Sequence, residues 1–312
     1  MKRSLALPLL LAASFAASLA VGSYPVNLLR PSPLGRAVLL DIRLPRALMA
    51  VSAGVALGVS GLILQSVFRN PLVDTYILGV NSGVALGAAL GYAFLPALGV
   101  PPLAMLFGVA AAAAAYAMAR VGGRVTPVTL VLAGIIVSSL LSAMLSIVEL
   151  LLDTRGLSAL VVWLMGSLSS TTWRVAALSL PAVLLLAATA YSLSYRFDLA
   201  AMGEDSEALG VNLQAVRGLA VLLSSAMVAL VVSFTGIIGW VGLIVPHLAR
   251  MTVGPSHGEA LPAAAAYGAV LMLVADTAVR LSPVEVPVGV ATTLAGVPFF
   301  AYLLRKTGGG WA

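Results

Sequence analysis

The sequence predicts an all-α polytopic membrane protein with about ten transmembrane helices. Hydrophobic residues make up 61% of the 312 positions and charged residues only 9%, whereas soluble globular proteins carry about 25% charged residues. The apolar runs are long and continuous rather than alternating, which excludes a β-barrel. No long linker or separate polar region interrupts them, so residues 1–312 are predicted to form a single transmembrane domain.

The first apolar run, Met1 to Gly22, begins with Lys2 and Arg3. Ser18-Leu19-Ala20 resembles a signal-peptidase site, so the run could be a cleaved signal peptide. The alternative is a retained first span with a cytoplasmic N-terminus. We favour retention because polytopic proteins normally keep their first span as the start signal.

Nine further apolar segments predict the remaining spans. They are Arg46–Ser66, Thr75–Leu95, Pro102–Ala119, Pro127–Leu150, Val175–Tyr195, Gly218–Thr235, Gly239–Leu248, Leu261–Val279 and Val286–Leu304. The segment Leu157–Trp173 is too polar and too short to be predicted as a span. Gly239–Leu248 is also short and contains Pro246, which indicates a broken or half-length helix inside a protein bundle.

Glycines recur at four-residue steps within one predicted span, at Gly79, Gly83, Gly87 and Gly91. This step places them on one helical face, and small faces let membrane helices approach closely. Packing explains most such stripes. Lining of a translocation path remains the alternative.

The basic residues predict the orientation. Ten spans place both termini on one side, and a cytoplasmic assignment of the termini leaves seven arginines outside. These are Arg30, Arg36, Arg43, Arg46, Arg155, Arg174 and Arg280. Basic residues are more numerous on the cytoplasmic side, as expected, but the excess is small. Seven arginines on the outer face therefore predict an acidic partner there.

The most polar stretch, Arg196 to Arg217, holds six of the chain's 28 charged residues. Within it, Asp205 to Leu209 can form a short helix that Gly210 ends, because glycine adopts positive φ without steric cost. Such a stretch cannot lie in hydrocarbon. Two interpretations stay open: a solvated loop, and a docking helix that takes force from a cytoplasmic motor protein.

No catalytic or metal-binding pattern is found in the sequence. The chain has no cysteine, and its two histidines, His247 near Pro246 and His257 in a predicted loop, lack metal-ligand spacing. No phosphate-binding loop is present either. We predict a protein that is not an enzyme, binds no metal, cofactor or nucleic acid, and depends on another protein for any ATP hydrolysis.

An ordered set of short motifs closely resembles the FecCD/BtuC-type permeases, the membrane subunits of type II ABC importers for iron-siderophores, haem and cobalamin. The motifs are Arg43-Leu-Pro-Arg46, Arg69-Asn70-Pro71-Leu72, Leu78-Gly79-Val80-Asn81-Ser82-Gly83, Ala208-Leu209-Gly210-Val211, Gly239-Trp240-Val241-Gly242, Pro246-His247 with Arg250, Ala275-Asp276 with Arg280, and Gly296-Val297-Pro298-Phe299. Each motif alone is weak, but together they cover nearly the whole chain in order.

The resemblance implies a BtuC-like fold, a homodimer with the path at its two-fold axis, two cytoplasmic ATPase subunits that use ATP and Mg²⁺, and an extracytoplasmic binding protein. It also implies roles for three groups of residues. The coupling segment near 199–215 would contact the ATPase through Glu204, Asp205, Glu207, Ala208, Leu209, Gly210 and Val211. The binding protein would dock on Arg43, Arg46 and Arg280, and the cytoplasmic gate would comprise Asn70, Pro71, Leu72, Pro127 and Val128.

Each implied role has a simpler alternative. Arg43 and Arg46 could anchor a span at the membrane interface. Arg280 could pair with Asp276, four residues earlier on the same helix. Pro71 disfavours helical geometry at Asn70, so an ordinary turn is also expected there.

The sequence therefore predicts a multi-pass permease of the cell membrane, with an iron-siderophore as the first candidate cargo. Haem, cobalamin and molybdate-type oxyanions remain alternatives. An ion-gradient-driven secondary transporter would need an ionisable pair inside the membrane, and none is evident. An intramembrane enzyme would need a Ser/His, Asp/Asp or metal cluster at membrane depth, and the sequence shows none.

Overall fold

The computed structural model describes residues 2–27, 30–282, 284 and 286–307. Within them the chain is almost entirely helical. The α-helices are α1 Lys2–Ala20, α2 Pro33–Ala37, α3 Leu44–Val67, α4 Val80–Ala93, α5 Val100–Ala119, α6 Pro127–Leu151, α7 Thr154–Leu164, α8 Trp173–Ser192, α9 Ser194–Ala201, α10 Leu213–Thr235, α11 Val241–Val253, α12 His257–Val279 and α13 Val288–Thr307. The 3₁₀ helices are Thr75–Leu78 and Gly203–Leu209, Val38–Arg43 is π-helical, and a two-residue hairpin pairs β1 Arg120–Val121 with β2 Arg124–Val125.

The predicted fold class is confirmed. Each of the ten predicted spans lies mainly on one α-helix, namely α1, α3, α4, α5, α6, α8, α10, α11, α12 and α13. Val175–Tyr195 also includes the first two residues of α9, and Thr75–Leu95 includes the 3₁₀ helix Thr75–Leu78. Among the described residues, six helical segments are long and apolar enough to cross a membrane alone. Leu157–Trp173 is confirmed not to be a span, since it contains only the last eight residues of the 11-residue α7 and the first residue of α8. Met1, where the first predicted span begins, lies outside the described residues.

Helix α3 is the centre of the bundle. It is the last part of a continuous helical stretch from Pro33 to Val67. In the most apolar 18-residue part of that stretch, 89% of the residues are buried. Glycines bring its neighbours close: a Cβ at Gly54 would lie 2.1 Å from the carbonyl oxygen of Gly268 on α12. A Cβ at Gly61 would lie equally close to the carbonyl oxygen of Gly242 on α11.

The glycine stripe of α4 also packs against a neighbour. A Cβ at Gly83 or Gly87 would lie 2.3 Å from the carbonyl oxygen of Phe107 or Leu103, both on α5. Packing between α4 and α5 therefore accounts for these two glycines. Gly79 has a separate role, since its φ of 76° joins the 3₁₀ helix Thr75–Leu78 to α4.

These contacts predict a large difference between two glycine-to-alanine substitutions. Gly54→Ala is expected to lower the thermal unfolding temperature in detergent, because its methyl group collides with backbone rather than with a movable side chain. Gly258→Ala on α12 is the matched control, since only the Ser256 hydroxyl lies near its added Cβ, at 3.8 Å. This control is expected to be neutral or slightly stabilising. Equal melting temperatures for the two variants would contradict the prediction.

The predicted half-length helix is confirmed as the 13-residue α11, which contains Pro246. A non-helical segment, residues 236–240, separates it from α10. The stretch after α7 and the start of α13 lie beside that segment inside the bundle. Ser167 N–H donates to the Thr235 carbonyl at 2.7 Å, and Gly289 N–H donates to the Gly166 carbonyl at 3.1 Å. Non-helical backbone at this depth is tolerated because these neighbours satisfy it.

The bundle has two ends. The arginine end is defined by Arg43, Arg46 and Arg280, where α3 begins and α12 finishes. The acidic end is defined by Glu204, Asp205 and Glu207, which precede α10. Helix α6 starts at the acidic end, because the Val125 carbonyl accepts a hydrogen bond from Arg217 of α10. At 25 residues α6 is about 37 Å long, so it delivers α7 to the arginine end.

Candidate functional site

The acidic end carries an exposed helical turn. Helix α9 leads into the 3₁₀ helix Gly203–Leu209, which Gly210 closes with a φ of 78°. The predicted short helix and its glycine cap are thus confirmed, although the helix is 3₁₀ and begins two residues earlier than predicted. Its carboxylates Glu204, Asp205 and Glu207 are exposed, as are Ala208 and Gly210.

This turn also exposes an apolar side chain. Leu209 is 61% exposed beside the three carboxylates, and Val211 is half-buried. The turn is held internally, because the buried Ser206 hydroxyl donates to the Gly203 carbonyl at 2.6 Å and Val211 N–H donates to the Ser206 carbonyl. A preformed turn that combines negative charge with an exposed leucine is suited to a protein partner.

A chain of hydrogen bonds ties this turn to two bundle helices. Asp198, on α9, accepts from the backbone N–H of His257 at 2.8 Å and contacts the ring Nδ1 at 2.6 Å. The His257 Nε2 lies 2.6 Å from the Ser66 hydroxyl near the end of α3. Asp198 therefore caps the first turn of α12 from a different helix, where negative charge is favourable.

This arrangement corrects two sequence-based expectations. His257 opens α12 rather than lying in a loop, and a Ser/His/Asp group does exist. The group connects α9, α12 and α3 by hydrogen bonds and does not act as a nucleophile. Ser66 and His257 are buried, and the Ser66 hydroxyl also donates to the Leu62 carbonyl of its own helix at 2.9 Å, as is usual for serine within helices.

Replacing His257 by alanine is expected to lower the free energy of unfolding by about 1–3 kcal/mol, because it removes the partner of a buried hydroxyl and one of two donors to a carboxylate. Ser66→Ala removes the hydroxyl together with both of its contacts, to the His257 ring and to the Leu62 carbonyl, and is expected to cost about 0.5–1.5 kcal/mol. Chemical unfolding of the two variants in mixed micelles measures both. A larger loss for Ser66→Ala would contradict the proposed tie.

Two of the three arginines of the arginine end, Arg46 and Arg280, converge on one buried carboxylate. Asp276 has no exposed surface, and its two oxygens lie 2.8 Å from Arg46 Nε and 3.1 Å from Arg280 Nε. The predicted pairing of Arg280 with Asp276 is thus observed, together with a second partner, Arg46, from α3. Burial is the main cause that lowers the pKa of Arg280, opposed by the charge of Asp276.

Arg43 and Arg280 also hold the end of α1. Arg43 is only 4% exposed; it donates to the carbonyls of Leu19 and Ala20 at 2.9 Å and to that of Tyr24. Arg280 donates to the Ser18 carbonyl and hydroxyl at 2.9 Å. The simple interfacial anchoring suggested for Arg43 is therefore replaced by specific internal bonds.

A cavity of about 430 Å³ opens among these arginines. Three guanidinium groups against one carboxylate leave an excess of positive charge around it. The docking role of Arg43, Arg46 and Arg280 stays a prediction, and their internal bonds mean that any contact with a partner is partial.

The predicted gate residues occupy a sharp turn and a helix start. Arg69, with a φ of 50°, ends the α3 region, and the Asn70 side-chain oxygen accepts from Leu72 N–H at 2.9 Å. The turn expected at Asn70-Pro71 is therefore present, with Leu72 exposed. At the start of α6, Val128 is 67% exposed and follows Pro127, the first residue of α6. Their gating role stays a prediction.

A polar group behind this turn was missed from the sequence. Gln65 of α3 donates to the carbonyls of Val73 and Gly242, at 3.3 and 3.2 Å, and accepts a hydrogen bond from Arg250. Burial raises the pKa of nearby Asp74 to about 6, opposed by its hydrogen bonds from Thr75. The group joins the turn after α3 to α11. Its partners lie far apart in sequence, so no local pattern indicates it.

The family model of the FecCD transport family matches residues 9–306. The chain belongs to the FecCD transport family. It is 37% identical to the molybdate import system permease protein MolB of Haemophilus influenzae, over 96% of this chain and 94% of that protein. It is 39% identical to the cobalamin import system permease protein BtuC of Halobacterium salinarum, over 85% and 72%. The hemin transport system permease protein HmuU of Yersinia pestis is 36% identical, over 86% and 82%.

A solved structure agrees with this assignment. A metal-chelate type ABC transporter in an inward-facing conformation superposes with a TM-score of 0.90 at 38% identity, over 96% of this chain and 97% of that one. PsaBC from Streptococcus pneumoniae, at 18% identity and a TM-score of 0.60, shares the fold. This FecCD protein is therefore a multi-pass permease subunit of an ABC importer, and FecCD permeases are not themselves enzymes.

Proposed function

We propose that this FecCD permease carries an iron chelate from an extracytoplasmic binding protein into the cytoplasm. Two copies would form a homodimer around the path, with an ATPase subunit on the acidic end of each copy. In this proposal the acidic end and both termini face the cytoplasm, and the arginine end faces outward. ATP and Mg²⁺ would be used by the ATPase, because this chain carries no phosphate-binding loop.

The exposed acidic turn is the observation that carries the proposal. It presents three carboxylates and the exposed Leu209 away from the bundle. Asp198, His257 and Ser66 connect the preceding helix to α12 and α3. A displacement of the turn by an ATPase subunit would therefore reach two buried helices through short hydrogen bonds.

The arginine end supports an acidic binding protein. Arg43, Arg46 and Arg280 bring an excess of positive charge to its cavity, and a second set of arginines is exposed there. That set is Arg30, Arg36, Arg155 and Arg174. Charge pairs at the rim of an interface mainly steer and register the encounter.

Iron chelate is proposed as the cargo because the similar proteins include iron chelatin permeases of Helicobacter pylori and an iron(3+)-hydroxamate permease of Bacillus subtilis. Haem and cobalamin are the cargoes of other relatives. A molybdate-type oxyanion is the second candidate, because the similarity to the Haemophilus influenzae permease extends over 94% of that protein.

Reconstitution tests the proposal. The permease is placed in vesicles with its ATPase and binding protein, and uptake of radioactive ferric chelates, cyanocobalamin, haem and molybdate is measured. ATP-dependent uptake of a ferric chelate is expected, and molybdate uptake alone would favour the second candidate. Uptake without the ATPase, driven by an ion gradient, would overturn the proposal in favour of a secondary transporter.

Docking of the binding protein is best tested at the exposed arginines. Substitution of Arg30, Arg36 and Arg174 by glutamate is expected to weaken stimulation of the ATPase by the loaded binding protein. Arg43, Arg46 and Arg280 are less suitable, because their substitution also breaks internal bonds. Unchanged stimulation of the exposed-arginine variant would contradict docking through those residues.

A further inference from the structure

A second cavity, of about 740 Å³, lies at the arginine end between α4, α7 and the end of α10. Seven of its twelve lining residues carry a hydroxyl group, and the only charged one is Arg155. Its size falls within the range of about 300–1,000 Å³ that is typical of small-molecule sites. Apart from Arg155, which also belongs to the exposed arginines of the arginine end, no residue of this cavity belongs to the docking, coupling or gate groups described above.

Several polar groups of the cavity have bonding capacity left. Ser167 and Ser169 bond to each other, at 3.0 Å between their hydroxyls. In contrast, the Ser158 and Ser170 hydroxyls and the Arg155 guanidinium bond to none of the residues that the structure describes. All three side chains are exposed, within a cavity that also has Trp163 in its wall.

This set of groups matches one class of ligand. A guanidinium group provides several donors in a planar fork that suits carboxylates and other oxygen anions. Serine hydroxyls add donors around it, while aromatic rings cover apolar parts of a ligand. The lining contains no Asp or Glu that would repel an anion.

Hydrogen bonds connect the lining of the cavity to backbone in the interior of the bundle. Ser167, in its lining, donates its N–H to the carbonyl of Thr235, another lining residue, at 2.7 Å. Adjacent Gly166 accepts from Gly289 of α13. A ligand in the cavity would therefore contact the place where the end of α10, the stretch after α7 and the start of α13 meet.

We infer that this cavity is a cargo-binding site of the permease, which takes an anionic chelate with oxygen atoms at its surface. Arg155 binds its carboxylates or other anionic oxygens, and Ser158 and Ser170 donate hydrogen bonds. The inference rests on the proposed function, since it names the class of chelate that the permease carries.

Because the chain has no cysteine, a single thiol can report on the cavity. Ser158→Cys is labelled with two methanethiosulfonate reagents, one anionic and one cationic, using the purified full chain in detergent. Addition of Arg155→Gln is expected to lower the anionic-to-cationic rate ratio by about tenfold, because a nearby unit charge acts with opposite sign on the two reagents. The matched control is Thr172→Cys, an exposed residue outside the lining, whose ratio should not change.

Protection from labelling tests the cargo class. Ferric citrate, an anionic oxygen-rich chelate, is expected to slow labelling of Ser158→Cys but not of Thr172→Cys, and Arg155→Gln should remove the protection. Equal protection by an uncharged ferric trihydroxamate would overturn the inference, as would an absence of protection by ferric citrate. Protection by molybdate alone would overturn the inference that the ligand is a chelate, and it would assign the site to a simple oxyanion.

The labelling experiment needs neither ATPase nor binding protein, so its result is independent of the proposed function. If reconstituted vesicles fail to import while ferric citrate still protects Ser158→Cys, the transport proposal fails and the site stands. If import succeeds and neither Arg155→Gln nor ferric citrate changes labelling, the site fails and the transport proposal stands.

Discussion

Replacing Glu204, Asp205 and Glu207 together by lysine is expected to reduce ATP-driven cargo uptake to the level of vesicles that lack the ATPase. The three carboxylates are exposed at the acidic end and form no ion pair with another residue that the structure describes. Their reversal breaks no ion pair, although it removes the two charges, of Glu204 and Glu207, that attract the buried Arg217. It also places like charges against a partner that accepts an acidic turn. The measurement is co-purification of the ATPase together with uptake in vesicles.

Glu259→Lys is the matched control for this variant. Glu259 is also an exposed carboxylate at the acidic end, in the first turn of α12 and outside the 3₁₀ helix. Its reversal should leave ATPase binding intact, with a cost of about 0.3–1 kcal/mol from the helix dipole. Normal uptake by the triple variant would show that the acidic turn is a solvated loop without a coupling role.

Replacing Asp276 by alanine is expected to lower the free energy of unfolding by about 3–5 kcal/mol, because it leaves the largely buried Arg46 and Arg280 without their shared counter-ion. The same change should loosen α1, since Arg280 also holds Ser18. Chemical unfolding in mixed micelles measures the stability. Proteolysis near residues 18–24 reports on the attachment of α1.

Asp41→Ala is the control, because Asp41 is an exposed carboxylate at the same end with no ion pair among the described residues. The double variant Arg46→Ala/Asp276→Ala should lose less stability than the sum of its single changes, since both remove one interaction. Additive losses would contradict a direct Arg46–Asp276 pair. A loss below about 1 kcal/mol for Asp276→Ala would show that the arginines find other partners.

The parts of the site that depend on a few neighbouring residues could be predicted from the sequence. The cap at Gly210 and the turn at Asn70-Pro71 follow from the backbone preferences of glycine and of the residue before proline. The half-length helix follows from the shortness of its apolar run and from the proline inside it, Pro246. The coupling, docking and gating roles came instead from family resemblance, and they stay predictions.

Residues far apart in sequence account for what was missed. Arg46 meets Asp276 across 230 positions, and Ser66 meets His257 across 191. Each residue looks ordinary in its own segment: the sequence places His257 in a loop, and it offers Asp276 only Arg280 of the same helix as a partner. Only the packing of α3 against α12 shows that these side chains have partners.

The sequence by itself determined the membrane class, the ten apolar segments and the polar turn between them, because hydrophobic length and turn chemistry act over a few neighbouring residues. The tertiary structure alone decided which buried charges are neutralised, which helices the acidic turn is tied to, and where hydroxyl groups gather around Arg155. Those features depend on contacts between helices that close long loops, and no local pattern specifies such contacts.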